Sequence, residues 1–431
     1  MKKRVFWAVY GLILVAVTIG GLEFLASFLT PSWPAYDLRP IGISQASVGQ
    51  LKALASTPDL IPHYNSWGLR DRERSITRPP DTRFRSVLVG DSFLEGIFVR
   101  APLGEVVEAD WAAQGIHDSE AINLGISATG PPQYYYRLKS IALNLQPDVI
   151  LELVCSANDF VSNDLSPWAI PPVVAERPEP SLLGAVAPHL DWLIVNRLGL
   201  SEFGRSNKPI ANEFDILNDV LNKPSGQRAG LLAEYFKRHY FPDKDRDTMR
   251  EILGRGGDAF WAAFERKGKD PEFLAGWLLA SMIDWETGTW PVAHDAAEAD
   301  RMVSTSEIEA TLTWLLGARQ LALSSGSKFL IAIVPMGSVD PRFAEFWSPW
   351  PRFYSINFAR EAARRRLLAE LRKRGLAPID LAEDLAGIGG TYRLSDGHWT
   401  ELGTSIAAKR IAAELLKARG QSSANKRATA R

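Results

Sequence analysis

Residues 85–99 read RSVLVGDSFLEGIFV, an apolar strand that runs into Gly-Asp-Ser and then opens a helix. Val87, Leu88 and Val89 form the continuous apolar run of a buried strand. Gly90 breaks it, and Asp91 and Ser92 are good helix-start residues. Ser92 therefore stands where unpaired backbone N–H groups and partial positive charge collect. That place suits a serine whose oxygen must become negative, and it equally suits an ordinary helix cap. A serine hydroxyl is a weak nucleophile until a base takes its proton. Near the C-terminus, LSDGHWTELG brings an acid and a base together, Asp396 and His398, two residues apart. A further polar cluster, Ser156-Ala157-Asn158-Asp159, follows the apolar run VILELVC. Taken singly, Asn158 and Asp159 fit a turn, Asp396 fits a helix start, and His398 fits a buried, satisfied histidine.

The elements around these residues decide whether they can meet. The strand at Val87 is followed by a helix around Gly104–Gln114, a strand at 121–127 (AINLGIS) and a helix at 132–145 (PQYYYRLKSIALNL). A third strand follows at 147–155 (PDVILELVC). After about residue 303 the pattern resumes: a helix from Ser304 to Leu323 with Ser304 and Glu307 as a capping box, a strand at 328–335, a helix at 357–375, a short strand at 377–381 and a closing helix at 400–418. Strands alternating with helices imply a three-layer α/β/α sandwich around a parallel sheet. The segment between carries Pro-rich loops and amphipathic helices such as DAFWAAFERKG, and reads as a helical insertion, large enough for a lid or subdomain. Its Trp261, Trp277, Trp285 and Trp290 are expected in its core rather than on a sugar. The chain thus divides into 5–29, 30–82 (irregular), 83–165 (first part of the core), 166–303 (insertion), 304–418 (second part) and 419–431, a basic tail expected to be disordered. In open parallel sheets, sites form beyond the C-terminal ends of the strands. Ser92, the 127–131 segment SATGP, Asn158 and the Asp396–His398 pair would then meet at one edge.

Composition sets outer limits. The 49 basic and 50 acidic residues nearly cancel, so there is no basic field for nucleic acid. The single cysteine, Cys155, lies in an apolar run and reads as a small buried hydrophobe, which excludes an internal disulfide or a cysteine-rich metal site. The N-terminus has Lys2, Lys3 and Arg4 and then no charge from Val5 to Leu22; Glu23 interrupts and apolar residues resume to Leu29. A span of about 20 such residues crosses a bilayer, and the basic cluster keeps its end in the cytoplasm. No clean small-x-small cleavage site follows, so 5–29 reads as an uncleaved anchor.

Gly90-Asp91-Ser92, the Ser-x-Asn-Asp block at 156–159 and the C-terminal Asp-Gly-His together resemble the SGNH/GDSL hydrolase superfamily, across the whole α/β core. The resemblance implies an SGNH/flavodoxin-like fold, with Ser92 as nucleophile, His398 as base and Asp396 as the acid that orients it. It implies an oxyanion hole from the N–H groups of Ser92 and Ala128 and the Asn158 amide. The NSWGLRD segment, the anchor and the Asp-Gly-His-Trp form are similar to a membrane-anchored bacterial branch of alginate O-acetyltransferase-type proteins. Three positions depart from the superfamily pattern. Ala128 replaces the glycine of the second block, though its N–H persists where φ is negative. Ser156 replaces the glycine of the third. The acid–base spacing is Asp-x-His rather than Asp-x-x-His, which still serves because residues i and i+2 of an extended chain share a side. Trp399 is expected to pack rather than touch substrate.

The reading that results is a single-pass inner-membrane protein with an extracytoplasmic domain. It would cleave or transfer a small acyl ester, acetyl on carbohydrate, through Ser92, with no cofactor or metal. A polysaccharide-modification partner in the membrane is possible under this reading, and the insertion could exclude water and favour transfer. Two alternatives remain open. A metal-dependent phosphatase also uses Asp-x-His but needs clustered further ligands, whereas His63, His117, His189, His239 and His294 are scattered singly. A non-catalytic binding or assembly protein could share the fold.

Overall fold

A computed structural model of the chain describes residues 2–29, 65, 67–96, 98–127, 129–160, 183, 186, 187, 189, 190, 193, 194, 217, 219–265, 272, 274 and 276–429. Five strands build its sheet: β1 (Phe84–Gly90), β2 (Ser119–Gly125), β3 (Val149–Cys155), β4 (Lys328–Val334) and β5 (Ile379–Asp380). Their order is β2-β1-β3-β4-β5, and every neighbouring pair is parallel. The order reverses between β1 and β3, the place where open α/β sheets form a crevice. Ser92 leaves β1 and Asn158 leaves β3, so the two lie on either side of that switch point.

Strands β1, β2 and β3 are buried almost end to end because helices cover both faces. On one face Phe84, Leu88, Leu151, Leu153 and Val334 meet the helices Leu103–Ala113 and Glu401–Thr429. On the other, Val87, Val89, Ile122 and Ile150 meet helix Pro131–Ser140, and Ile331 and Ile333 meet helices Thr305–Ser324 and Pro351–Lys373. The α/β/α sandwich is therefore present. Trp111 is fully buried and its Nε1 donates to the Ala412 carbonyl at 3.2 Å, joining the two helices of the first face. Cys155 is buried among these apolar residues.

Several boundaries differ from the sequence reading. The helix expected over 132–145 stops at Ser140 and continues as a 3₁₀ turn, Ala142–Leu145. Asn144 Nδ2 donates to the Ser140 carbonyl at 2.8 Å, the local side-chain competition that ends helices. Only one half of the expected capping box forms: Ser304 Oγ accepts from Glu307 N at 3.2 Å. The closing helix runs on through Thr429, into the segment expected to be disordered. That segment has no proline, and its Ala, Lys, Arg and Gln outnumber its Gly, Ser, Asn and Thr. Arg419, assigned to the tail, pairs with Asp118 at 2.7 Å.

The insertion contributes helices Ser225–His239, Arg246–Gly254, Gly257–Glu265, Gly276–Thr287 and Ala296–Met302. Its expected start at 166 lies outside the described residues. It is stitched to helix Pro351–Lys373: Trp350 Nε1 donates to Ile252 O at 2.7 Å, and Glu286 accepts from Phe353 N at 2.9 Å. Trp261 is buried and Trp285 half-buried, as expected. Trp290 is not; it is 51% exposed and spans the surface to Asp284, whose carboxylate accepts from its Nε1 at 3.1 Å. The side chain of Trp277 lies outside the described residues. Residues 2–29 form one helix, apolar from Val5 to Leu29 apart from Glu23 and, by length and composition, long enough to cross a bilayer.

Candidate active site

Ser92 opens the one-turn helix Ser92–Glu95 directly after β1. The turn is tight because two glycines let it be. A Cβ on Gly125 would lie 2.3 Å from Glu95 N, and one on Gly90 would press Leu94 and Leu153. Asp91 is the cap: its Oδ1 accepts from Phe93 N at 3.0 Å. This hydrogen bond braces the turn. Gly96 closes the turn with φ +66, a left-handed conformation glycine adopts without strain.

The acid–base pair sits on a loop that closes on itself through a Tyr392–Trp399 bridge. His398 Nε2 stands 2.7 Å from Ser92 Oγ, and His398 Nδ1 stands 2.8 Å from Asp396 Oδ2. Serine, histidine and aspartate therefore form one chain of hydrogen bonds across a gap of more than 300 residues in sequence. The local geometry departs from the extended form expected for Asp-x-His. Gly397 has φ +76, and Asp396 Oδ1 accepts from His398 N at 3.1 Å. The chain turns at a left-handed glycine, and an Asx-type turn rather than strand-like alternation presents both side chains to each other.

The electrostatics follow from burial and pairing. Burial works against the charge on Asp396, but the adjacent imidazole outweighs it and holds the carboxyl below its usual range. Burial also disfavours charged His398, and here the attraction of Asp396 wins, raising the imidazole above its ordinary value. Burial pushes Asp91 up to about 6. Phe93 and Phe98 flank the His398 ring at centroid distances of 4.9 and 5.4 Å, which shields it from water. Trp399 is buried and edge-on to Phe93 at 4.9 Å, a packing contact.

Asn158 lines the same cavity as Ser92, Asp396 and His398 and is exposed in it. Its loop is held from below by Asp159, which accepts from Cys155 N at 2.7 Å and Tyr134 Oη at 2.9 Å. Ser156, in place of the pattern's glycine, is buried and donates to the Val334 carbonyl. Ala128 lies outside the described residues. The Ser92 N–H, at the first position of a helical turn, has no intrahelical acceptor.

Several residues that hold the site carry no motif. Arg137 is fully buried; it donates to the carbonyls of Gly90 and Leu124, both at 2.8 Å, and so ties together the ends of β1 and β2. Asn123 donates to Leu94 O at 2.9 Å and accepts from Gly125 N at 2.8 Å, fastening the Ser92 turn to β2. Asp340 accepts from Gly390 N and Tyr392 N at 2.8 and 3.0 Å. Glu272, from the insertion, accepts from Leu394 N at 2.9 Å and Ser395 N at 3.0 Å, the two residues before Asp396. The only available sequence signal was the even spacing of Asn123 and Gly125 at the end of a strand; Glu272 and Asp340 meet the loop solely through tertiary structure.

No protein-family model matches the chain, and no curated protein does. Among solved structures the chain is similar to a GDSL-like lipase from Bacteroides thetaiotaomicron, at 11% identity and TM-score 0.31, over 79% of this chain and 92% of that one. It is also similar to the lipase/acylhydrolase from Enterococcus faecalis, at 11% identity and TM-score 0.30, over 77% of this chain and 95% of that one.

Proposed function

We propose that this chain is a serine acyl hydrolase or acyltransferase of the SGNH/GDSL type that works through an acyl-enzyme on Ser92. The observation that carries the reading is the unbroken Ser92–His398–Asp396 chain of hydrogen bonds at the switch point of the sheet. In the first step Ser92 Oγ bonds to the ester carbonyl carbon while its proton passes to His398 Nε2. Asp396 holds the imidazole in the tautomer with a proton on Nδ1. The negative oxygen that develops is met by the Ser92 N–H and the Asn158 amide. The bond to the leaving alcohol then breaks as His398 returns the proton to it. Water or a second hydroxyl repeats the sequence on the acyl-enzyme and frees Ser92. Each oxyanion donor is worth about 10²–10³ in turnover.

The resemblance of Asp396-Gly397-His398-Trp399 favours acetyl on an exported carbohydrate, with the N-terminal helix holding the domain at the outer face of the inner membrane beside a polysaccharide-modifying partner. Turnover of aryl esters from acetyl upward and of acetylated glycans, by wild type and Ser92→Ala, tests the reading. Wild type is expected to turn over at least one of them and Ser92→Ala none. Equal turnover by both, or none by wild type, would overturn it.

A further inference from the structure

NSWGLRD, residues 65–71, precedes the first strand, yet it folds against the Ser92 turn. Asn65 Oδ1 accepts from Trp67 N and Leu69 N, both at 3.0 Å, which winds the segment tightly. Arg70 points inward and is buried. Its Nη1 donates to Glu95 O at 3.3 Å, and its Nη2 donates to Arg100 O at 3.1 Å and to Val99 O. One guanidinium thus gathers a carbonyl from the end of the Ser92 turn and two from the loop that follows. Asn123, which fastens the same turn to β2, also donates to Arg70 O at 3.0 Å.

That loop carries Phe98, whose ring lies 5.4 Å from the His398 ring. Phe98 and Val99 are each 2% exposed, so their carbonyls need donors from within the protein. Arg70 serves Val99, and a second arginine serves Phe98 from the catalytic side. Arg393 Nη2 donates to Phe98 O at 2.5 Å, and its guanidinium lies 5.6 Å from the centre of the Phe98 ring. Arg393 N in turn donates to His398 O at 2.7 Å. Arg100 N donates to Glu401 Oε1 at 2.6 Å, at the start of the closing helix. The loop is therefore gripped toward the serine by Arg70 and toward the histidine by Arg393.

We propose that Arg70 is a positioning residue for the base: it fixes the loop through Phe98, Val99 and Arg100 so that Phe98 keeps water from the His398 ring. This rests on the Ser92 reading and gives NSWGLRD a part in the chemistry. The charged groups that face His398 are Asp396 and Arg393 of its own loop and Asp91 of the Ser92 turn. Phe98 adds no charge and acts through burial, the largest single influence on the imidazole, which lowers its value. Loosening this cover while Asp396 stays bonded should therefore raise the pH at which His398 becomes a base.

The test is the pH dependence of fluorophosphonate labelling of Ser92 in the full-length protein, with rates taken per folded molecule. Lysine carries its charge on one nitrogen and cannot span three carbonyls as the guanidinium fork does. Arg70→Lys should slow labelling at neutral pH about ten- to a hundredfold and move the acidic limb to higher pH. Phe98→Ala removes the cover directly and should move the limb the same way. The double variant should move it no further than Phe98→Ala alone. Arg74→Lys is the structural comparison: Arg74 pairs with Asp71 and Glu108, at 2.6 Å each, and its loss should lower the denaturation midpoint with the limb in place. A wild-type limb in Arg70→Lys or in Phe98→Ala overturns the proposal and leaves the Ser92 reading standing. So do additive shifts in the double variant, or an equal shift in Arg74→Lys. Phe98→Ala keeps Arg70 and decides the role of the cover even where Arg70→Lys does not fold. Wild type that labels at no pH overturns both readings.

Discussion

The two halves of the site are held in place by different means. The Ser92 turn is set into the sheet: Gly90 and Gly125 allow its close approach, and Asn123 and Arg137 bind it to the strand ends. The Asp396–His398 loop lies outside the sheet. Its backbone N–H groups are gripped by carboxylates from elsewhere, Asp340 ahead of helix Pro341–Trp347 and Glu272 of the insertion. Ser92 is thus positioned by parts that also make the fold. Asp396 and His398 are positioned by side chains that lie outside the sheet. Damage to the first half should appear as lost stability, and damage to the second as lost activity in a folded protein.

The largest expected effect is on the second half. Asp396→Asn removes the partner that orients His398 and should lower kcat by about 10³–10⁴. The pH profile should move with it. Protonated His398 cannot take the Ser92 proton, so kcat/KM in wild type should climb as pH rises through the imidazole's raised value, above 6.5, and then level off. In Asp396→Asn the larger attraction is gone while burial and the weaker pull of Asp91 remain, so the acidic limb should shift to lower pH. A limb that stays in place would show that Asp396 does not set the His398 charge.

Gly125→Ala sharpens the contrast from the other side. Its Cβ would collide with Glu95 N, so the Ser92 turn must lift from β2. Overpacking of this kind costs about 1–3 kcal/mol, read as a drop in denaturation midpoint. A variant as stable as wild type would break the claim that the turn is part of the sheet's packing.

Next in size is Glu272→Gln. Leu394 N and Ser395 N use separate carboxylate oxygens, and glutamine supplies only one acceptor. One N–H then faces an amide donor, a loss of about 1–3 kcal/mol in loop placement. The expected reading is kcat lowered roughly 10- to 100-fold with KM and denaturation midpoint changed little, since the binding cavity and sheet are untouched. A matching fall in stability with full kcat per folded molecule would make Glu272 a structural residue and nothing more. The smallest effect is expected for Gly397→Ala. A non-glycine residue at φ +76 is strained by about 1–2 kcal/mol, which should slow turnover several-fold.

The same division explains what the sequence made legible. Strands with continuous apolar runs announced a doubly covered sheet, and the Gly-Asp-Ser break after one of them marked the Ser92 turn, because both depend on neighbours in the chain. The helix ends were less visible. Ser140 and Asn144 divert a helix by one local hydrogen bond, and the closing helix continues past residue 418 because helix-forming residues continue too. The clamps on the Asp396–His398 loop had no local signature. Glu272 lies more than 120 residues from the backbone it holds, and nothing in its own neighbourhood distinguishes it from any surface glutamate. The turn at Gly397 was legible in principle, since Asp-Gly is a turn dipeptide; reading the spacing as extended chain passed over it. Trp290 shows a similar limit, for the usual burial of tryptophan placed it in a core, and it lies at the surface against the Asp284 carboxylate.

The account turns on whether the Ser92 hydroxyl is activated by its contact with His398. The direct measurement is the rate of fluorophosphonate labelling, with the modified residue identified by peptide mass, in wild type, Ser92→Ala and His398→Ala. Labelling of wild type at Ser92, none in Ser92→Ala, and a rate at least a thousandfold lower in His398→Ala is the predicted result. Wild type that resists the probe, or a His398→Ala protein that labels as fast as wild type, would contradict it.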